Sequence, residues 1–397
     1  MEPETTALIT DPMGVFGFLA AIVAGVFWIS ELPRCRKLFE VVPPVIYVYF
    51  LPMLATTAGI TPSASPLYDW TVPYLLLFAL LMLMVSVDVM SIARLGATAL
   101  FMVAAGTVGI VIGGPISLLI FQGALPADAW TGFAALSGSW IGGTANMVAI
   151  SESVGTSPDA MGPVIVVDTV VGYGWMGVLI ALVGFQGRFD RRTRARTETV
   201  EETNSRLADM DRERRPTTLR DAVVMIGLGM ACAVGAQRLG NTFPSMGDPP
   251  IISGTTWAIL IVVTGGLALS FTRLRELEKV GASGLGYTAL YLLLAGIGAQ
   301  ADLRAVLDAP VYLAAGAVWI AIHVAVLLIA ARIVRAPLFF VATGSMANIG
   351  GAASAPVVAG VYHRAMAPIG LLMAVAGYIL GIYAALLCAW LLGLVGG

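Results

Sequence analysis

The sequence LSGSWIGGTANMVAIS, from Leu136 to Ser151, recurs in altered form as ATGSMANIGGAASAPVVAG, from Ala342 to Gly360. Both strings are polar and rich in glycine, yet each lies within a stretch that is apolar enough for a lipid bilayer. Glycine-interrupted apolar segments at corresponding places in two halves of a chain are the best sequence indication of a transporter's binding site. The interpretation of the whole sequence therefore depends on this pair.

The composition is that of an integral membrane protein. Hydrophobic residues make up 58% of the 397 residues and charged residues only 12%, whereas a soluble domain carries about 25% charged residues. The net charge of −2 gives no indication of nucleic-acid binding. The three cysteines, Cys35, Cys232 and Cys388, have neither disulfide nor metal-ligand spacing.

Apolar stretches of the length that a bilayer span needs, about 20 residues, follow one another along the chain. Hydrocarbon offers the backbone no water, so we expect helices rather than strands. The sequence thus predicts an all-α polytopic membrane protein with about 11–13 transmembrane helices, some of them discontinuous. The predicted spans lie near residues 13–30, 41–60, 72–91, 95–122, 130–151, 161–186, 220–240, 252–271, 282–300, 310–331, 337–361 and 366–395.

A charged segment divides the chain into two halves. Residues 188–220 hold ten arginines, which predicts a solvated linker on the cytoplasmic side of the membrane. We therefore expect a first membrane half over residues 1–187, the linker over 188–220, and a second membrane half over 221–397.

The two halves resemble each other in the same order of motifs. IGGTAN at Ile141–Asn146 matches IGGAAS at Ile349–Ser354. Downstream, VVGYGWMGVLIAL from Val170 matches VAGYILGIYAALL from Val375. Three matches occur in the same order in both halves, the third being a weaker match near Asp88. They indicate an internal duplication with two structural repeats.

Basic residues at the ends of the spans bear on the orientation of the repeats. If all of them face the cytoplasm, matched spans run in opposite directions and the repeats are inverted. Inversion in turn requires that one predicted span be split, re-entrant or less than a full crossing. The competing count of twelve full spans makes the repeats parallel; we favour inversion. The residues are Arg34, Arg36, Lys37, Arg94, Arg273, Arg275, Lys279, Arg332 and Arg335.

The glycine-rich strings are the candidate binding site. Glycine lets a helix unwind, which frees carbonyl groups for a cation and exposes helix N-termini to an anion. Close packing through small residues is the alternative explanation, although it explains the asparagines poorly. The residues expected to bind substrate or ion are Ser139, Gly142, Gly143, Thr144 and Asn146 in the first copy, and Ser345, Asn348, Gly350, Gly351 and Ser354 in the second.

One acidic residue, Asp168, lies well inside the apolar span that follows the first string. A charge in that position costs about 2.5–3.5 kcal/mol on insertion scales and indicates a function. The matched position in the second half is Met373, so the fold itself does not demand an acid there. We therefore expect Asp168 to couple Na⁺ or H⁺ and to be a ligand of Na⁺; a structural hydrogen bond to a neighbouring helix is the alternative.

Other polar residues have simpler interpretations. Asp88 and Asp302 end matched spans and are interpreted as helix-end features, and His323 as a satisfied buried histidine. The sequence contains no HExxH, GxSxG, Walker A or CxxC motif. We therefore expect neither an enzyme nor a cofactor other than a coupling ion.

The ordered motifs GSWIGGTANMVAISESVG, VDTVVGYGWMG and NIGGAASAPVVAG, with GYILGIY, resemble the YjcL-like membrane proteins of domain-of-unknown-function family 819. By this resemblance the chain falls within the superfamily of cation:proton antiporters and anion transporters. It implies inverted repeats, two broken helices that cross near the membrane centre, and a core domain that moves against a dimerising scaffold. Asp168 would take the place of the ion-binding acid, although Val167 precedes it where antiporters have a second acid or an asparagine.

These features predict an ion-coupled secondary transporter of a small solute, working by alternating access. An organic anion or zwitterion is slightly favoured, and we expect a homodimer in a bacterial cytoplasmic membrane. Two alternatives remain: an inorganic cation/proton antiporter, and a non-transporting membrane scaffold or sensor whose partner binds the linker.

Overall fold

The described part of the chain is helical. Apart from an isolated bridge between Met246 and Ile252, it forms helices and turns and no strand, which confirms the predicted all-α class. Arg36, Lys37, Asp302 and residues 199 and 201–214 of the linker lie outside the described residues. The computed structural model describes residues 7–35, 38–39, 44–198, 200, 215–246, 252–301, 309–363 and 366–396.

Eight helical stretches in those ranges are long and apolar enough to cross a membrane. A ninth is reached only if the helix Gly254–Leu269 and the bent 3₁₀ segment Arg273–Val280 count as one span, so the predicted total of 11–13 stays a prediction. The helices are α1 (Pro12–Ser30), α2 (Pro44–Thr57), α3 (Pro66–Val85), α4 (Val89–Ala93), α5 (Ala97–Phe121), α6 (Ala129–Gly142), α7 (Thr144–Val154), α8 (Pro158–Ala181), α9 (Gln186–Thr193), α10 (Leu219–Gly240), α11 (Gly254–Leu269), α12 (Ala282–Gln300), α13 (Ala309–Val334), α14 (Leu338–Ile349), α15 (Gly351–Tyr362) and α16 (Ala367–Gly396).

Short polar signals in the sequence fix where several helices begin. The Asp11 carboxylate accepts a hydrogen bond from Gly14 N at 2.7 Å, and the Ser157 hydroxyl accepts one from Ala160 N at 3.2 Å. Each of these residues precedes a proline at the first helical position. Proline has no N–H to lose there and its fixed φ suits the first turn.

The helices pack as two bundles. The core bundle consists of α5, α6, α7, α8, α13, α14, α15 and α16, and the scaffold bundle consists of α1, α2, α3, α10, α11 and α12. Each bundle takes helices from both sides of the linker. The halves therefore interleave in space, and their division along the chain at 188–220 stays a prediction.

One end of the scaffold bundle gathers basic loops. Arg275 Nη1 donates to Asp88 Oδ1 at 3.2 Å, which joins the segment after α11 to the end of α3. The Thr217 hydroxyl donates to Val280 O at 2.7 Å, which adds the start of α10. Asp88 also caps α4 by accepting a hydrogen bond from Ser91 N, as expected for a helix-end residue.

The core bundle extends the same face, because α4 connects the end of α3 directly to the start of α5. Arg196 N donates to Arg335 O at 2.9 Å, and both residues line a cavity with Ala97, so α13 ends where α5 begins. We call this side the basic face; its location on the cytoplasmic side, expected from the positive-inside tendency, stays a prediction. Its residues include Arg94, Arg196, Arg275, Lys279 and Arg335.

Helices α5 and α13, which precede the two glycine-rich strings, pack antiparallel. His323 Nδ1 is 2.9 Å from Gly106 O, and Trp319 Nε1 donates to Ile110 O at 2.8 Å. Further along α5, the Ser117 hydroxyl donates to Ala315 O at 2.7 Å. Residue numbers rise on α5 as they fall on α13. Antiparallel packing of matched helices is what inverted repeats require; the duplication itself stays a prediction.

The first glycine-rich string folds back on itself, with α6 and α7 as its two arms. The Thr156 hydroxyl donates to Thr131 O at 3.0 Å, so the end of α7 lies beside the start of α6. Near the tip, Gly138 has no side chain to separate it from Asn146: a Cβ there would lie 2.6 Å from Asn146 O. We call this re-entrant element hairpin 1; it enters from the face opposite the basic face.

The second string, α14 and α15, forms hairpin 2 and enters from the basic face. At its start Leu338 N donates to Asp190 Oδ1 at 2.8 Å, and at its end the Tyr362 hydroxyl donates to Leu179 O at 2.9 Å. Asp190 and Leu179 both lie toward the basic end of α8 and α9. This differs from the predicted pair of broken helices that cross the bilayer, because each string returns to the face from which it came.

Candidate functional site

The tips of the two hairpins meet against one side chain of α16. A Cβ at Gly143 would lie 3.2 Å from Tyr378 Cε1, and a Cβ at Gly351 would lie 3.2 Å from the Tyr378 hydroxyl oxygen. Both glycines have positive φ, +78° and +58°, a region that other residues adopt only with strain. Glycine at these two positions therefore permits both the turn and the close approach.

A cavity of about 480 Å³ opens beside the tips, at the interface of the two bundles. The core side supplies backbone and small or polar groups, and the scaffold side supplies apolar and aromatic groups. We call it the central cavity. It is lined by Gly142, Gly143, Thr144, Ala145, Asn146, Gly350, Gly351, Ala352 and Tyr378 of the core bundle, and by Phe27, Leu83, Met84, Tyr287 and Tyr291 of the scaffold bundle.

A second cavity of about 310 Å³ adjoins the first and contains Asp168, so we call it the acidic cavity. It shares Gly143, Thr144, Gly350 and Tyr291 with the central cavity. Its remaining lining consists of Ser139, Asp168, Thr169, Gly172, Tyr173, Met346, Ile349 and Ser354, with Phe39, Pro44 and Val45 from the scaffold side.

The Asp168 carboxylate is surrounded by neutral hydroxyl groups. The Ser139 hydroxyl donates to Asp168 Oδ1 at 2.9 Å. Tyr173 faces Asp168 and Ser354 together. The described residues include no group of three or more His, Cys, Asp and Glu able to hold a metal ion. One carboxylate with hydroxyl groups beside it makes a hard oxygen site, which suits Na⁺ better than a transition metal.

Asn146, in the first turn of α7, carries an unmet hydrogen-bonding group. Its side chain is 1% exposed, and its Nδ2 has no hydrogen-bond partner. The amide packs directly on Gly142 and Gly381, where a Cβ would lie within 2 Å of Nδ2. A buried unsatisfied donor costs about 1–3 kcal/mol. The residue also lines the central cavity, so a ligand can offset that cost.

Two predicted site residues, Ser345 and Asn348, line neither of these cavities. Ser345 Oγ accepts from Trp175 Nε1 at 2.9 Å and lies 2.9 Å from His323 Nε2. Because His323 Nδ1 faces Gly106 O, both ring nitrogens have partners. His323 is therefore a satisfied buried histidine, as its sequence context predicted.

Asn348 is bonded into the core bundle. In the orientation that satisfies the whole amide, Nδ2 donates to Val103 O at 3.1 Å and to Gly344 O at 2.9 Å, while Oδ1 accepts from Thr107 N and from the Thr107 hydroxyl. These bonds attach hairpin 2 to α5. Attachment of hairpin 2 to α5 therefore explains Asn348. The glycines beside Asn146 allow close packing of the helices in addition to the turn.

Comparison with known proteins places the chain in a family. A family described as "Protein of unknown function (DUF819)" matches residues 17–394. The chain belongs to the DUF819 family. It is 26% identical over 340 residues to "Uncharacterized membrane protein YjcL" of Bacillus subtilis (strain 168), a match that covers 83% of this chain and 85% of the relative. The resemblance to family 819 is thus confirmed, and the chain is an integral membrane protein; the wider superfamily stays a prediction.

The sequence alone did not single out the tyrosines of this DUF819 protein as site residues. Tyr173 and Tyr378 occupy the same place in the matched strings VVGYGWM and VAGYILG, and that match was the available signal. Tyr287 and Tyr291 of α12 line the central cavity but lie in an ordinary apolar span. Only the packing of α12 against the hairpins reveals them.

A third cavity, of about 190 Å³, leads from the central cavity toward the basic face. It shares Leu83, Tyr287, Ala352 and Tyr378 with the central cavity, and it reaches Asp88 and Glu278. The three cavities follow the interface between the core and scaffold bundles, from Asp168 to the basic loops.

Proposed function

We propose that this DUF819 protein is an ion-coupled secondary transporter of a small solute, working by alternating access. The observation that carries the proposal is the meeting of two oppositely inserted hairpin tips beside a buried carboxylate, between two helix bundles. Irregular backbone at membrane depth is tolerated only where protein or a water-filled cavity satisfies it. Discontinuous helices that meet near mid-membrane are the usual site in secondary transporters.

Alternating access requires that one bundle move against the other. Several polar contacts cross the interface: the Tyr49 hydroxyl donates to Pro158 O at 2.9 Å, and the hydroxyls of Thr264 and Tyr383 lie 2.7 Å apart. The interface around the cavities is otherwise mostly apolar. Few bonds would break when the core bundle, which holds both hairpins, shifts along the scaffold.

Asp168 is the proposed coupling residue. Neutralising it should remove the site for Na⁺ or H⁺ while leaving the fold, because Asn keeps the size of the side chain and one acceptor for the Ser139 hydroxyl. We expect Asp168→Asn to abolish the stabilisation that NaCl gives relative to choline chloride, measured as the unfolding temperature of the purified protein at several pH values. Uptake of radioactive Na⁺ into proteoliposomes should fall to background.

Asp159→Asn is the matched control, since Asp159 lies on the first turn of the same helix and lines neither the central nor the acidic cavity. It should retain the Na⁺ or pH dependence of the parent protein. Cation binding by Asp168→Asn at the parent level would remove the coupling role of Asp168.

The acidic cavity also suits a second candidate, an antiporter that exchanges only inorganic cations and protons. Such a protein would be stabilised by cations and by no organic solute in a thermal-shift screen.

A homodimer, a bacterial cytoplasmic membrane and the absence of enzymatic activity belong to the same proposal as the transporter. Cross-linking in native membranes tests the first of these.

A further inference from the structure

The central cavity has two sides of different chemistry. Its core side presents the first turn of α7, with Thr144, Ala145 and Asn146, and its scaffold side presents Phe27 and the α12 tyrosines. Neither side supplies a charged side chain. Whatever binds here must therefore match neutral donors on one side and aromatic rings on the other.

The core side favours a negative group. An 11-residue helix, α7, begins at the tip with its N-terminus at the cavity, and the first turn of a helix carries partial positive charge and N–H groups without intrahelical partners. Independently, the buried Asn146 Nδ2 has no acceptor. Asn146 also lines the cavity, so a ligand acceptor that enters beside it can meet this donor.

The scaffold side favours an apolar body. The Phe27 and Tyr291 rings meet edge to face with centroids 4.8 Å apart, and Tyr287 lies 6.5 Å from Tyr291. Leu83 and Met84 complete this wall. A volume of about 480 Å³ is within the range of cavities that enclose a small organic molecule.

From these observations we infer that the central cavity binds a monocarboxylate with an aromatic or branched apolar body. The carboxylate faces Asn146 and the α7 N-terminus, and the body lies on Phe27, Tyr287 and Tyr291. This deepens the proposed function and rests on it. A Na⁺ beside Asp168 in the adjoining cavity neutralises that carboxylate, so Asp168 does not repel one bound carboxylate. A second carboxylate would face the apolar wall without a partner.

The test uses phenylacetate, benzoate and 4-methyl-2-oxopentanoate as probes, with the full chain purified in NaCl. Three controls differ from phenylacetate in one property each. Phenylacetamide is neutral, 2-phenylethylammonium is a cation, and phenylsuccinate has two carboxylates. Calorimetry should show binding of the monocarboxylates, and weaker or no binding of the other three. Asn146→Asp nearly preserves the size of the side chain but places a negative charge at the carboxylate, so we expect affinity to fall on the order of 100-fold.

Asn146→Ala should lower the affinity for the same monocarboxylates by a smaller factor. This second variant keeps the inference testable if the aspartate variant misfolds. Size-exclusion chromatography and circular dichroism of both variants, compared with the parent protein, show whether they are folded. If Na⁺ stabilises the protein but the monocarboxylates fail to bind, or if the amide or the amine binds as tightly, this inference is wrong and the transporter proposal stands. If the parent protein responds to neither Na⁺ nor pH, the transporter proposal itself fails.

Discussion

Hairpin 1 and hairpin 2 have similar glycine turns but use their polar side chains for different purposes. In hairpin 1, Asn146 faces the central cavity with a buried nitrogen that has no partner, and Ser139 bonds to Asp168. In hairpin 2, Asn348 and Ser345 are bonded to α5, α8 and α13. The glycines thus provide a shared backbone geometry, whereas Asn348 and Ser345 attach hairpin 2 to its neighbours and Asn146 is the asparagine proposed to contact a ligand.

The two asparagines, Asn146 in hairpin 1 and Asn348 in hairpin 2, give the strongest test of this difference. Asn348→Ala removes the interhelical bonds to Val103 and Thr107 and a bond to Gly344 within α14, and interhelical bonds in membranes contribute about 0.6 kcal/mol each, up to about 1.7. We expect a loss of about 2 kcal/mol in the free energy of unfolding. Asn146→Ala removes the same side-chain atoms but breaks no hydrogen bond. Its free energy of unfolding should therefore fall by much less than that of Asn348→Ala.

Reversible unfolding of both variants in mixed micelles with SDS measures the two values side by side. Because each substitution deletes an equal volume, the difference between them reports hydrogen bonding rather than cavity formation. Equal losses of stability would contradict the division of roles between the hairpins.

The glycines at the two tips should behave alike, which tests the shared part of the comparison. Gly143→Ala and Gly351→Ala force a Cβ into positive φ, at a cost of about 1–2 kcal/mol, and also against Tyr378. Gly155→Ala is the matched control, since its φ is +68° but no atom lies within 4 Å of the added Cβ. We expect both tip variants to be less stable than the control and to lose Na⁺ stabilisation, whereas the control keeps it.

Thermal unfolding with and without NaCl separates these effects. A tip variant that loses only as much stability as Gly155→Ala, and still responds to Na⁺, would show that the approach of the tips to Tyr378 does not matter for the site.

Sequence patterns predicted much of this architecture because they are local. The glycine pairs, the apolar spans and the acid at Asp168 can be read from neighbouring residues. The return of each string to its own face could not be predicted, because an apolar stretch broken by Gly143 or Gly351 fits a broken span equally well. Nor could the difference between the asparagines, since Asn348 bonds to Thr107, which lies 241 residues earlier in the chain.

The smallest expected effect concerns the cap on hairpin 2. Ala352 N, at the start of α15, donates to the Tyr378 hydroxyl at 3.1 Å, whereas the Tyr378 ring, not its hydroxyl, lies nearest to Gly143 at the tip of hairpin 1. Tyr378→Phe removes only the hydroxyl, so we expect the free energy of unfolding to fall by about 0.5–1.5 kcal/mol, the usual net value of one hydrogen bond.

Hydrogen–deuterium exchange should rise in peptides covering residues 344–360 and stay unchanged in those covering 137–151. Tyr383→Phe, on the same helix, removes a hydroxyl that lies against Thr264, leaves the Ala352 bond intact and serves as the control. Equal exchange in both hairpins after Tyr378→Phe would mean that Tyr378 supports the two tips jointly, and the comparison would then rest on the asparagines alone.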